Sequence, residues 1–183
     1  MTDQMFCFQC EQTAKCEACT GRAGACGKTE DVAAAQDELT GALIGLARTC
    51  QAAGKVGERT YELVVNGLFT CVTNVNFNEF SVRALIVEVH AEAAAVAAAA
   101  GCDVQPDYDM AQMWGADEDI RSLKSLVLFG IRGTAAYAYH ARVLGKHDEA
   151  VDAFFVEALA ALAEPGSVDS LLPLVLKVGE VNL

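Results

Sequence analysis

Eight cysteines stand in this chain of 183 residues, and five of them (Cys7, Cys10, Cys16, Cys19 and Cys26) fall within the first 26 positions. Thiolates bind soft or borderline metals, and four of them can close a tetrahedral zinc site or hold the corners of an iron–sulfur cluster. Two selections of four fit these chemistries. Cys7-x2-Cys10 with Cys16-x2-Cys19 makes two knuckles separated by a short loop, which is a zinc pattern. Cys7, Cys10, Cys19 and Cys26 read as C-x2-C-x8-C-x6-C, one close pair followed by two isolated ligands. That spacing lets a flexible loop wrap an object larger than one ion. Thiol redox chemistry is a third use of the same residues. A disulfide framework would suit a short secreted chain, but Met1 to Cys10 has no basic segment followed by an apolar run to direct export.

The surroundings fit an anionic occupant, and equally a loop whose bases serve only to solvate it. Lys15, Arg22 and Lys28 are a large share of only 13 basic residues. Gly21, Gly24 and Gly27 let the backbone approach closely and offer its amides to sulfur. Elsewhere, Cys50 and Cys71 are expected to act as small buried hydrophobes, and Cys102 as a more accessible, oxidisable thiol. His90, His140 and His147 have no cysteine or glutamate at ligand spacing, so structural or surface roles are expected for them.

The remainder of the chain must position this loop, and its pattern is helical. Val32, Leu39, Leu43, Leu46 and Cys50 share one stripe, with Thr29 as the expected N-cap and Gly54 as the stop. A second stripe runs Tyr61, Val64, Leu68, Val72, Val75. A third runs from Val82 to Ala100, opened by Asn76 and closed by Gly101. After an irregular stretch, Asp117 caps a long helix ending near Gly145. Then come Val151 to Leu162 and a last helix around Leu171 to Val178, in which Pro173 fits the first turn if Ser170 or a neighbour caps it. No segment alternates as a strand would. The expected fold is all-α: a cysteine-rich loop at 1–28, a three-helix bundle at 29–101, a linker at 102–116 and a second three-helix bundle at 117–183.

Composition excludes several functions. Twenty-five acids against 13 bases give a formal charge of −12, which argues against nucleic acid or an anionic membrane surface as partner. No window of 18 apolar residues occurs, so the chain is expected to be soluble and cytoplasmic. Nucleotide-binding glycine loops and hydrolase motifs are absent from the sequence.

The segment Met5-Phe-Cys-Phe-Gln-Cys-Glu-Gln-Thr-Ala-Lys15, with Cys19, Gly24 and Cys26-Gly-Lys28, resembles the start of the hybrid cluster proteins. These are also called prismane proteins or hydroxylamine reductases. The similarity continues through Gln36-Asp37, Asp119-Ile-Arg-Ser-Leu123, Ala135-Ala-Tyr-Ala-Tyr-His140 and Gly179-Glu-Val-Asn182.

The resemblance implies that Cys7, Cys10, Cys19 and Cys26 hold a [4Fe–4S] cluster, or a [2Fe–2S] cluster as in another branch of the family. The x8 gap is similar to the cubane branch, the x6 gap is one residue longer than in that branch, and Cys16 is additional. Zinc, with Cys16 as an alternative ligand, is the competing occupant from spacing. The family's N-terminal domain is a pair of three-helix bundles. Its hybrid cluster, which reduces hydroxylamine or nitric oxide, is bound by later domains with no counterpart here, so this chain alone is expected to relay electrons rather than catalyse. The expected partners are those C-terminal domains or a redox protein. The alternative is a zinc-stabilised or metal-free helical interaction fragment that self-associates through its docking faces.

Overall fold

A computed structural model describes residues 5–10, 18–72 and 74–183. Among them the fold is all-α, with seven helices and one isolated bridge between Ala23 and Thr29. The helices are α1 (Glu30–Ala53), α2 (Glu58–Thr70), α3 (Glu79–Ala100), α4 (Met110–Trp114), α5 (Glu118–Val143), α6 (Glu149–Ala163) and α7 (Val168–Val181). No described helix is long and apolar enough to cross a membrane.

Helix α1 is the axis of the molecule. Leu39, Leu43, Leu46 and Cys50 are buried as the stripe predicts, but so are Ala33, Ala42, Ile44 and Ala47. A helix apolar on several faces must be covered on several faces, and α1 packs against α3 on one side and α6 on another, with α2 and α4 completing the cover. Helix α2 leans on α5, and α5 on α7. One continuous core, from Leu39 and Leu63 through Val89 to Ile131, Phe155 and Leu159, therefore runs through both halves of the chain.

Small residues set the closest approach. The segment before α4 runs against α1, where the amide of Tyr108 donates to the carbonyl of Gly41 at 3.1 Å. A Cβ at position 41 would sit 2.3 Å from the Tyr108 carbonyl oxygen, so only glycine allows this contact.

Several sequence expectations change in detail. Thr29 stands at the N-cap of α1 but makes no side-chain cap bond. Asn78, not Asn76, caps α3, accepting from the amides of Phe80 and Ser81. Asn76 instead accepts from the Asn78 amide at 2.8 Å, which forms the turn that delivers the cap. Val72 and Val75 lie beyond the end of α2, which Cys71 closes. The 102–116 stretch contains the short helix α4, capped by Asp109. Ser167 forms a capping box with Ser170, so Pro173 lies inside α7, past its first turn. The reciprocal bonds of two serines fix the start earlier than Ser170 alone would.

Candidate metal centre

The cysteine loop folds back on itself just ahead of α1. The amide of Cys7 donates to the carbonyl of Cys19 at 3.2 Å, that of Gly24 to the carbonyl of Lys28 at 2.7 Å, and that of Gly27 to Gly24 at 2.8 Å. These bonds close a turn in which Gly27 takes φ 89, a conformation that favours glycine. Cys7, Cys10, Cys19 and Cys26 all line one cavity of about 230 Å³, together with Gln9, Gly24, Ala25, Lys28 and Asn74. All four are half-buried, and none of the seven described cysteines forms a disulfide. Cys16, the alternative ligand, lies outside the described residues. The sulfurs border a space instead of meeting at a point: among the described residues no group of three or more His, Cys, Asp or Glu is arranged to hold a single metal ion.

Gly24 forms a wall of that space. A Cβ there would meet the Cys26 and Cys19 sulfurs at 3.5 and 3.6 Å. Its neighbour Ala25 donates a backbone N–H to Cys19 Sγ at 3.3 Å. Burial pushes the Cys7 thiol above its ordinary pKa, opposed by the Gln9 backbone amide and by the charge of Lys28. Thiols in this arrangement can ligate a soft or borderline metal once deprotonated, and amides aimed at sulfur stabilise the resulting negative charge.

Beneath the cavity lies a buried polar layer, of which the sequence marked Lys28 as a loop cation and Gln36-Asp37 only through the resemblance, and Arg132 not at all. Lys28 is only 1% exposed and donates to Gln36 Oε1. Gln9 donates its amide to Asp37. Arg132, 3% exposed on α5, reaches the carbonyl of Phe8 at 3.2 Å and the hydroxyl of Thr40 at 2.8 Å. Arg132 thus ties the second half of the chain to the cysteine loop. The signal in sequence was slight: Gln36 and Thr40 are polar residues one turn apart on the side of α1 that carries the apolar stripe. Phe6 and Phe8, flanking Cys7, pack on Trp114 with ring centroids 5.4 and 4.7 Å away, and so anchor the loop's outer edge to α4.

The remaining candidates sit elsewhere. Cys50 and Cys71 are buried in the core, and Cys102 is half-buried. Burial raises the Cys50 thiol to about 11. His90 pairs with Asp107 at 2.8 Å and His147 with Asp152 at 3.3 Å. His140 stands edge-on to Phe69 and Tyr139. None of the three histidines lines the four-cysteine cavity.

Comparison with known proteins gives the lineage. The profile of the Prismane/CO dehydrogenase family matches residues 5–183. A protein of Syntrophobacter fumaroxidans named hydroxylamine reductase is 42% identical over 98% of this chain and 38% of its own length. Proteins of the same name from Methanocella arvoryzae and Thermodesulfovibrio yellowstonii are 38% and 37% identical, again over 98% of this chain and 38% of their own. The chain therefore spans well under half the length of the curated relatives it matches. With the family profile covering nearly every residue, the chain belongs to the Prismane/CO dehydrogenase family.

Proposed function

We propose that this chain is an iron–sulfur electron-transfer domain in which Cys7, Cys10, Cys19 and Cys26 hold a [4Fe–4S] cluster. The observation that carries this reading is the convergence of these four thiols on one glycine-walled cavity. Four sulfurs around a space suit a cluster bound at its corners better than one ion gripped at a centre. When bound, the cluster supplies one-electron exchange. The protein's own residues do the rest. The Ala25 amide and the Gly24 wall set the sulfur environment, Phe6, Phe8 and Trp114 cover the loop, and Arg132 fixes it to the helical body. Hydrogen bonding to sulfur and burial are the levers by which a protein sets such a centre's potential.

The relatives' name supplies the context. Within a longer protein of the kind named hydroxylamine reductase, this domain passes single electrons toward the site where hydroxylamine is reduced.

Serine substitution tests the ligand set one residue at a time. Cys7→Ser, Cys10→Ser, Cys19→Ser and Cys26→Ser should each lower iron and sulfide content after anaerobic reconstitution, while Cys16→Ser should leave it intact. Loss of iron and sulfide on Cys16→Ser with retention on Cys26→Ser would instead make Cys16 the fourth ligand in place of Cys26.

A further inference from the structure

Lys28 has an environment that its neighbours only half explain. It is 1% exposed and lines the four-cysteine cavity. A buried ammonium is costly unless its N–H groups find acceptors and its charge an opposite charge. Among the described residues its Nζ has one acceptor, Oε1 of Gln36. That amide cannot turn, because Nε2 of Gln36 is already spent on the carbonyls of Thr70 at 3.0 Å and Asn76 at 3.1 Å. An ammonium carries three donors, so two find no acceptor among the described residues. The charges nearby do not cancel either. Lys28 and Arg132 are both buried and both act on the Asp37 carboxylate, while the next carboxylate, Glu38, is exposed and paired with Arg83.

We infer that Lys28 is the buried counter-cation of the four-cysteine centre and a determinant of its reduction potential, with Gln36 holding its ammonium in place. This rests on the cluster reading above. Four thiolates leave a cluster with net negative charge, and reduction adds one more. A fixed positive charge therefore stabilises the reduced form more than the oxidised one. Buried away from salt, it does so with little screening, unlike the exposed Arg22 on the same loop.

The test is an anaerobic redox titration of the reconstituted chain, followed by electron paramagnetic resonance at about 0.1 M and about 0.5 M salt. Lys28→Met should lower the reduced-to-oxidised ratio at the wild-type midpoint at least tenfold, about 59 mV for one electron. The shift should persist at the higher salt, whereas any shift in Arg22→Gln should shrink. Lys28→Arg should stay close to wild type. A Lys28→Met protein with full iron and an unchanged potential would overturn the inference. Should Lys28→Met not retain the cluster, Lys28→Arg decides. Full iron at a near-wild-type potential supports the counter-cation, while loss of iron there too makes Lys28 a packing residue and overturns it. Wild-type protein that takes up no iron and sulfide would defeat the cluster reading itself, before any variant is compared.

Discussion

Arg132 on α5 donates to the hydroxyl of Thr40 on α1 at 2.8 Å, joining residues 92 positions apart directly beneath the cysteine loop. The same guanidinium holds the carbonyl of Phe8, the residue after Cys7. The loop is therefore attached to the helical body through a buried charge, and changes at the cavity and in the body can be separated experimentally.

At the cavity wall, Gly24→Val should lower cluster content without unfolding the chain. The Cβ alone reaches ordinary contact with two sulfurs, and two further methyls must enter the cavity or displace its rim. Iron content should fall severalfold while the far-ultraviolet circular dichroism stays helical. Undiminished iron would show that Gly24 does not border the occupied space.

In the body, Gly41→Ala should destabilise the fold, because the new methyl meets backbone, the Tyr108 carbonyl, at 2.3 Å. Overpacking of this kind costs about 1–3 kcal/mol. Urea unfolding measures it, with a matching fall in midpoint as the expected result.

The metal-free protein should lose stability as pH rises from about 4 to 7. Burial lifts the Asp37 carboxyl to about 7, against the opposing pull of Arg132, the Gln9 amide and Lys28, and with slight reinforcement from Glu38. An unfolded aspartate ionises near 4. Between those values the folded state binds the extra proton, so stability falls with rising pH and levels above it. Asp37→Asn should flatten this slope, by on the order of a few kcal/mol across the window. An equal slope in both proteins, measured by urea unfolding at stepped pH, would place the effect elsewhere.

Arg142 bridges Glu58 on α2 and the buried Asp152 on α6. Arg142→Met strands a carboxylate with His147 as its one remaining cationic neighbour among the described residues, and breaking such a pair costs about 3 kcal/mol. Restoring stability with the double change Arg142→Met and Asp152→Leu would identify the stranded charge as the cause.

The parts of this structure legible in the sequence are the local ones. The stripe Leu39, Leu43, Leu46 needs only the helical period, and the Asp117 cap needs only its neighbours. The cysteine spacing offered two sets of four, and the family resemblance singled out Cys7, Cys10, Cys19 and Cys26. Local rules erred where two local solutions competed, as between Asn76 and Asn78 before α3, or Ser167 and Ser170 before α7. The polar layer under the loop was out of reach for a different reason. Nothing near Arg132 in sequence marks it as buried, because its partners Thr40 and Phe8 come from the far end of the chain. Lys28 likewise reads as one more loop cation until Gln36 is seen to hold it.

The central claim is that four cysteines of this chain hold a cubane cluster. Its most direct test is iron, zinc and acid-labile sulfide per chain, on protein purified and reconstituted without oxygen. About four irons with about four sulfides is the predicted result. One zinc without sulfide, unchanged by reconstitution with iron and sulfide, would contradict it.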